Sequence, residues 1–284
     1  MRSSLLTFAT PVADSKHRRR RRAGTEAHYS DGRYYDQAYR GRRHDVRFYT
    51  DLAVESRGPV LELGVGTGRV ALSIAKEGIE VVGVEPMESM LERAEERLGR
   101  LPHAVRDRVE LRQADLRKLR LRRRFPLVIA PFNVWNHLYT RNDIERGFRT
   151  VRHHLQRGGR FAFDVLLPDP ESLARTPAKQ YRGGQVPHPR DGVRCRYSEY
   201  FSYEPASQVE TVMMDFEHPS NPKRSFCTPL TQRHFFPAEL EALLHYNGFS
   251  IVSHHGDFAG KPIGRATESQ VIIATLGGGR RSNT

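Results

Sequence analysis

The stretch that decides the fold runs Val60-Leu61-Glu62-Leu63-Gly64-Val65-Gly66-Thr67-Gly68-Arg69. It passes from a short apolar run into a turn with three glycines and then into a segment of helix-forming composition. The glycines let a ligand approach the backbone with no Cβ in between, and the start of a helix offers unpaired N–H groups. This order is typical of nucleotide-binding α/β domains, although the turn alone also fits a structural role in some other α/β protein. Glu62, Gly64, Gly66 and Gly68 are therefore candidate ligand-binding residues.

Strands and helices are expected to alternate beyond this turn. The apolar runs lack polar alternation, which is typical of buried parallel strands, and they cover 60–63, 80–84, 109–111, 126–130 and 161–165. Segments of helical composition lie between them at 69–77, 87–98 and 142–155. This alternation predicts a doubly wound, Rossmann-like sheet with its ligand crevice at the carboxyl ends of the strands.

The second half of the chain departs from this alternation. After residue 165 about 70 residues pass before the next helical segment at 237–247, which is too long for a plain connection. Within it, 193–203 and 209–216 read as a β-hairpin and 226–235 as a third strand. The predicted domain covers 25–276, with a β-rich insertion at 166–236 and disordered tails at 1–24 and 277–284.

Two acidic residues follow the next strands of the predicted sheet. Glu85 ends the second strand and stands 17 residues after Gly68, close to the spacing of a ribose-binding carboxylate. Asp115 follows the third strand, where a carboxylate can accept a hydrogen bond from the exocyclic amine of an adenine. Its alternative role is to cap the helical turn that starts at Leu116.

Together these residues resemble the class I methyltransferases that use S-adenosylmethionine. The glycine turn is similar to their glycine-rich motif, Glu85 to their ribose-binding acid and Asp115 to their adenine-binding element. The resemblance implies about seven strands, of which 249–253 and 270–275 are the final pair and the last is antiparallel. It also implies S-adenosyl-L-methionine as the cofactor, with the loop around Gly64 and Gly66 contacting its methionine part.

A nicotinamide dehydrogenase is the nearest competing enzyme class because it shares the strand, glycine turn and helix. Glu62 argues against it. A carboxylate just before the turn would repel a pyrophosphate, whereas a sulfonium with a free amino group tolerates nearby carboxylates.

The segment 128–139 follows the fourth strand, where the methyl acceptor is expected. It lacks the Asn-Pro-Pro-aromatic signature of amino-directed nucleic-acid methyltransferases, a nucleophilic cysteine and a metal-binding carboxylate, so no metal is expected. Once these classes of methyltransferase are excluded, the expected reaction is methylation of a nitrogen or an oxygen of a small molecule. His137 is the first candidate to orient or deprotonate the acceptor, followed by Asn133 and His234, and its alternative role is packing.

The insertion resembles, in its architecture, that of enzymes that dimethylate amino sugars or related metabolites. Such a lid would exclude water and shape a pocket for a small acceptor. Tyr34 and Tyr39, from an amphipathic segment at 29–54, are expected to close over the cofactor unless they only pack.

Composition bounds the remaining possibilities. The net charge of +13 lies largely in the two tails, because residues 1–24 hold seven basic residues against one acid and Arg280 and Arg281 add two more. An RNA- or protein-directed methyltransferase, or a nucleic-acid binder with a methyltransferase-like fold, is the alternative that this arginine-rich tail supports. No apolar run is long enough for a membrane helix. The two cysteines have no pairing pattern, which fits a cytoplasmic protein in which both thiols are buried. The protein is expected to be a monomer or a homodimer.

Overall fold

A seven-stranded mixed sheet forms the centre of the protein, whose computed structural model describes residues 24–177, 179–188 and 191–277. Its strands are β1 (Val60–Leu63), β2 (Val81–Glu85), β3 (Val109–Gln113), β4 (Phe125–Ala130), β5 (Leu155–Leu166), β10 (Phe249–His255) and β11 (Ser269–Leu276). They lie in the spatial order β10-β11-β5-β4-β1-β2-β3. The tails predicted to be disordered lie, apart from residues 24 and 277, outside the described residues.

The direction of the strands agrees with the expected class I architecture. The first five strands pair in parallel, whereas β11 runs antiparallel between β5 and β10. The burial of β1, β2 and β4 on both faces explains why their sequences read as continuous apolar runs. The predicted doubly wound sheet with an antiparallel last strand is therefore confirmed.

Helices cover both faces of this sheet. They are α1 (Gly32–Ala38), α2 (His44–Ser56), α3 (Ala71–Lys76), α4 (Glu88–Gly99), α5 (His103–Arg106), α6 (Arg141–His154), α7 (Pro170–Leu173) and α8 (Pro237–Tyr246). Short 3₁₀ helices lie at Val134–His137 and Pro222–Arg224, and residues 24–28 are also helical. Two buried clusters, one on each side of the sheet, include Trp135 and Phe163 on one side and Tyr49 and Ile129 on the other. No helix among the described residues is long and apolar enough to span a membrane.

A second, four-stranded antiparallel sheet follows β5. It consists of β6 (Gln180–Pro187), β7 (Arg194–Glu204), β8 (Val209–Glu217) and β9 (Phe226–Arg233), in that spatial order. The hairpin β7–β8 and the third strand were expected, but the prediction missed β6. Its sequence carries Gly183-Gly184 and polar residues, which are depleted in strands, so pairing with β7 rather than local propensity holds it. Cys195 in β7 is buried, as expected, whereas Cys227 in β9 is exposed, so the expectation for Cys227 was wrong. Side chains along a strand alternate between two faces, and Cys227 lies on the face of β9 that is open to solvent.

The N-terminal segment, residues 24–43, connects the two sheets. Tyr34 of α1 packs in a cluster with Met214, Phe216 and Leu230 of the second sheet. On the other side, Thr67 of the glycine turn donates its hydroxyl to Asp36 at 2.7 Å. The segment therefore lies over the carboxyl ends of the parallel strands, where the candidate site is.

Candidate active site

The glycine turn after β1 adopts a backbone that residues with a Cβ rarely adopt. Gly64, Gly66 and Gly68 have φ of 73°, 54° and 77°. A Cβ on Gly64 would lie 2.6 Å from Val134 Cγ2, so the turn and the loop after β4 touch at this point. The sequence's glycines are thus required both by backbone geometry and by close packing.

Glu85 sits at the end of β2 and faces the glycine turn. Its Oε2 accepts from the Gly66 N–H and its Oε1 from the Met87 N–H, each at 3.0 Å. Burial raises its pKa to about 7, against the lowering effect of those two hydrogen bonds. The two backbone donors fix the orientation of this carboxyl beside the glycine turn.

Glu62, two residues before Gly64, is buried within β1. Burial raises the pKa of its carboxyl well above the ordinary range, and the charge of Arg69 partly opposes this. Its Oε2 has no hydrogen-bond partner among the described residues. Arg69 itself is held by Asp45, with Nη1–Oδ1 and Nη2–Oδ2 distances of 2.8 and 2.5 Å. An acceptor oxygen without a donor, beside the turn, suits a ligand with an amino group.

Asp115 lies after β3, at the same edge of the sheet. Its carboxylate accepts from the guanidinium of Arg117, which also reaches Asp143 at 3.2 Å. Although burial acts to raise its pKa, the hydrogen bonds from Arg117 hold the pKa of Asp115 below its usual range. Asp115 also accepts from the Arg117 backbone N–H at 2.9 Å, so it does cap the following turn, as the alternative reading expected.

Tyr35, rather than its neighbour Tyr34, lies close to Arg69 and Glu85, which flank the glycine turn. Its ring contacts those of Tyr39 and Phe132, with centroid distances of 4.8 and 6.1 Å. Burial raises its pKa, and the charges of Arg69 and Glu85 act on it from close by. Tyr34 instead lies against the second sheet, with its hydroxyl 3.7 Å from Met214 Sδ.

Tyr39 is the third member of the aromatic group that Tyr35 and Phe132 form. Its hydroxyl lies 2.9 Å from His28 Nε2, and its ring centroid lies 4.9 Å from that of Phe132. The guanidinium groups of Arg42 and Arg69 lie over the Phe132 ring at 5.0 and 5.2 Å. A cation-bearing aromatic wall therefore borders the turn.

His137 is the last residue of the 3₁₀ helix after β4 and is enclosed by phenols. Its Nε2 lies 2.9 Å from Tyr29 Oη, and its Nδ1 lies 3.4 Å from Tyr139 Oη. Burial lowers its pKa to about 4, although a hydrogen bond to the Thr231 carbonyl acts in the opposite direction. His137 is thus neutral at physiological pH.

Asn133 occupies the turn between β4 and that helix. It is buried, and both it and Phe132 have a left-handed backbone, with φ of 63° and 64°. Their N–H groups donate to Asp164 near the end of β5, at 3.2 and 2.8 Å. Asp164 was missed in the sequence, although an acidic residue near the end of a buried strand is the signal that identified Glu85.

His234, the third candidate, lies apart from this group. Its Nε2 is 3.1 Å from Glu210 Oε2, and its ring contacts Tyr203 rather than Tyr29 or Tyr139. The structure therefore brings together Glu62, the three glycines, Glu85, Asn133 and His137, and adds Tyr29, Tyr35 and Asp164. Tyr34, His234 and Glu210 belong to the contacts of the second sheet.

Two cavities flank the N-terminal segment. One, of about 590 Å³, lies between that segment and the second sheet and is lined by residues that include Asp31, Tyr34, His188 and Lys223. The other, of about 840 Å³, opens beside Tyr35 and Tyr39. Its lining has an excess of basic residues over the acidic Asp36, Asp51 and Glu77, and these basic residues are Arg40, Arg42, Arg43, Arg47, Arg69, Lys76 and Arg97.

Comparison with known proteins gives the chemistry that this geometry serves. Residues 60–159 match the family model described as "Methyltransferase domain". Over 235 residues the chain is 29% identical to the dTDP-3-amino-3,4,6-trideoxy-alpha-D-glucopyranose N,N-dimethyltransferase of Streptomyces venezuelae, covering 80% of this chain and 93% of that protein. The putative methyltransferase YqeM of Bacillus subtilis (strain 168) is 27% identical over 118 residues, 41% of this chain but less than half, 46%, of that protein.

Solved structures share the fold. The CcbJ methyltransferase from Streptomyces caelestis has a TM-score of 0.72 at 24% identity, covering 91% of this chain and 98% of that chain. CalS10, a SAM-bound amino pentose methyltransferase from Micromonospora echinaspora, has a TM-score of 0.63 at 19% identity, covering 97% and 100%.

The glycine turn, the carboxyl of Glu85 and the sheet with its antiparallel last strand occur together with that matched domain. The chain therefore carries a methyltransferase domain at residues 60–159 and has the fold of the class I S-adenosylmethionine-dependent methyltransferases.

Proposed function

We propose that this enzyme methylates a nitrogen of a small molecule, with an oxygen acceptor as the second possibility. The observation that carries the proposal is the enclosure of His137. It lies beneath Tyr29 of the N-terminal segment and next to Tyr139, whose hydroxyl donates to the Thr231 carbonyl of β9 at 2.8 Å. A site roofed by a segment and a second sheet suits a small acceptor better than a polymer. The names of the Streptomyces venezuelae relative and of CalS10, which act on amino sugars, support nitrogen.

The residues present fit the cofactor. The turn of Gly64 and Gly66 has no Cβ in the way, the orphaned Oε2 of Glu62 suits its amino group, and Glu85 suits its ribose hydroxyls. Asp115 is the proposed partner of the adenine, and Tyr35 is the proposed wall of the methionine part. When bound, S-adenosyl-L-methionine supplies a methyl group on a positively charged sulfur.

The chain's own contribution is alignment and removal of a proton. Tyr29 and His137 place a phenol and a neutral imidazole 2.9 Å apart, so a proton released by the acceptor nitrogen has a base within reach. Because burial keeps His137 neutral, it needs no prior deprotonation at pH 7. Asn133 is the proposed residue that orients the acceptor. Exclusion of water by Tyr29 and Tyr39 keeps the acceptor and methyl group at near-attack distance.

The alternative acceptor is RNA or another polyanion. The cavity beside Tyr35 supports it, since Arg40, Arg43 and Lys76 are among the basic residues that line it. Binding through such groups would weaken steeply with salt. An anionic group of a small acceptor would use the same cavity with a smaller salt effect.

The proposal is tested by release of S-adenosylhomocysteine from the full chain with a panel of amino sugars, their hydroxyl counterparts and total tRNA. Mass spectrometry of the products then identifies the methylated atom. Methylation of amino compounds that is lost in Glu85→Ala supports the proposal. Turnover with tRNA alone would overturn it in favour of the polymer acceptor.

A further inference from the structure

Asp164 is a buried acid that the chemistry above does not use. It lies near the end of β5 and is only 3% exposed. Its Oδ1 accepts from Tyr49 Oη at 2.6 Å and from the Phe132 N–H at 2.8 Å, and its Oδ2 accepts from the Asn133 N–H at 3.2 Å. One carboxylate thus joins α2, β5 and the turn after β4.

That turn has an unfavourable backbone. Phe132 and Asn133 are consecutive residues with φ of 64° and 63°, in the left-handed region where a Cβ crowds the following carbonyl. A phenylalanine there is uncommon, and strained residues of this kind persist only when their surroundings hold them. The N–H groups of Phe132 and Asn133 both donate to the Asp164 carboxylate, and these charge-assisted hydrogen bonds offset the strain.

The strained turn places groups that border the site. The Phe132 ring lies against Tyr35 and Tyr39 and beneath the guanidinium of Arg42. Val134, which follows directly, packs where Gly64 has no Cβ. A relaxed turn would move the ring and the start of the 3₁₀ helix that carries His137.

The need to give a buried side chain hydrogen-bond partners does not by itself explain why a carboxylate occupies this position. Asp164 is buried on the face of β5 that packs against Tyr49, where a charged group is costly unless it is fully hydrogen-bonded. An amide or a hydroxyl would be cheaper to bury, but neither has two oxygens that accept from consecutive N–H groups. Tyr49, itself fully buried, fixes the orientation of the carboxylate.

We propose that Asp164, oriented by Tyr49, is a positioning residue for methyl transfer, which holds Phe132 and Asn133 in their left-handed turn beside the glycine loop. It acts through the backbone of these residues and has no direct contact with the reacting atoms. The inference depends on the methyltransferase activity of the fold and not on the identity of the acceptor.

The test compares three variants of the full chain by hydrogen exchange over residues 131–137, by melting temperature and by steady-state kinetics. Asp164→Asn keeps the size but has one acceptor oxygen, and Tyr49→Phe removes only the orienting hydroxyl. His154→Gln is the control: His154 is buried and joined to the Leu121 N–H and the Thr150 carbonyl, away from the turn.

We expect Asp164→Asn to speed exchange at 131–137 and to lower kcat by roughly 10- to 100-fold, with a much smaller change in KM for the cofactor. Tyr49→Phe should do the same to a lesser degree, and it carries the test if Asp164→Asn does not fold. His154→Gln should lower the melting temperature without either effect. Exchange measurements need no acceptor, so they decide the inference even if the amine proposal fails.

The inference is wrong if exchange at 131–137 is unchanged in Asp164→Asn and in Tyr49→Phe. It is also wrong if His154→Gln lowers kcat as much as Asp164→Asn at an equal loss of melting temperature, because a general loss of stability then explains the effect.

Discussion

Gly66 donates its backbone N–H to Oε2 of Glu85 at 3.0 Å, which joins the glycine turn of the first strand to the end of the second. The bond holds the carboxylate at the turn before any ligand arrives. Because the second oxygen is held by the Met87 N–H, the carboxylate has little freedom to rotate. If Glu85 binds the ribose as proposed, the ribose hydroxyls meet an acceptor whose direction is already set.

The first prediction concerns this carboxyl and cofactor affinity. Glu85→Gln should weaken the binding of S-adenosyl-L-methionine by roughly 1.5–3 kcal/mol, because a charged acceptor of the ribose hydroxyls is lost. Since burial raises the pKa of Glu85 to about 7, affinity of the unmodified enzyme should rise as the pH increases through about 7 and then level off. Isothermal titration over that range measures both. A pH-independent affinity in the unmodified chain would contradict the assignment.

A second prediction follows for the stability of the cofactor-free protein. Burial raises the pKa of Glu85 from 4.5 to about 7, so the folded state holds its proton to a higher pH than the unfolded state does. Stability should therefore fall as the pH rises from about 4.5 to about 7, and Glu85→Gln should remove this part of the loss. Urea unfolding at several pH values compares the two proteins. Parallel curves would mean that the carboxyl is solvated.

A third prediction separates two neighbouring tyrosines. Tyr35→Leu should weaken cofactor binding because the ring faces Glu85 and Phe132. Tyr34→Leu should leave that affinity nearly unchanged and lower the free energy of unfolding by about 1–3 kcal/mol, since its ring packs on Met214 and Phe216. Equal loss of affinity in both variants would return Tyr34 to the cofactor site.

The fourth prediction concerns His137. If it accepts the acceptor's proton, His137→Ala should lower kcat about 10²- to 10⁴-fold while acceptor binding persists. Because burial lowers the pKa of His137 to about 4, the rate should lose its dependence on this group above about pH 5. Tyr29→Phe, which removes the neighbouring hydroxyl, should have a smaller effect on kcat. An unchanged kcat in His137→Ala would leave it as a packing residue.

Two truncations give the fifth prediction. Removal of residues 1–23 should leave cofactor affinity and melting temperature unchanged, and any nucleic-acid binding should fall steeply with salt. Removal of residues 1–39 should abolish cofactor binding, because it deletes Tyr35 and Asp36, whose carboxylate accepts from Thr67 and Arg93. If the protein that lacks residues 1–23 still binds RNA and this binding resists salt, a nucleic-acid acceptor would be supported instead.

The elements of the fold that could be predicted are those in which local pattern and packing agree. The buried strands β1, β2 and β4 read as apolar runs because both of their faces are covered. Strand β6 could not be found in this way. Its glycines and polar residues favour a loop, and it becomes a strand only because β7 offers a free edge for pairing.

The same division holds for the site. Residues that follow directly from the strand order, such as Glu85, are found by their position at a strand end. Tyr35 and Tyr34 are adjacent in sequence and equally aromatic, so no local signal says which one packs beside Phe132 and which one packs on the second sheet. Helix α1 points them toward different sheets.

The sequence by itself determined the doubly wound sheet, the glycine turn and the carboxyl of Glu85, because strand length, glycine φ and spacing along the chain are local properties. Only the tertiary structure decided that His137 is neutral beneath Tyr29, and that Asp164 holds the turn at Phe132. These depend on burial and on contacts between residues about 30 to more than 100 positions apart in the chain. A buried group's pKa and a strained backbone are set by what surrounds them in space.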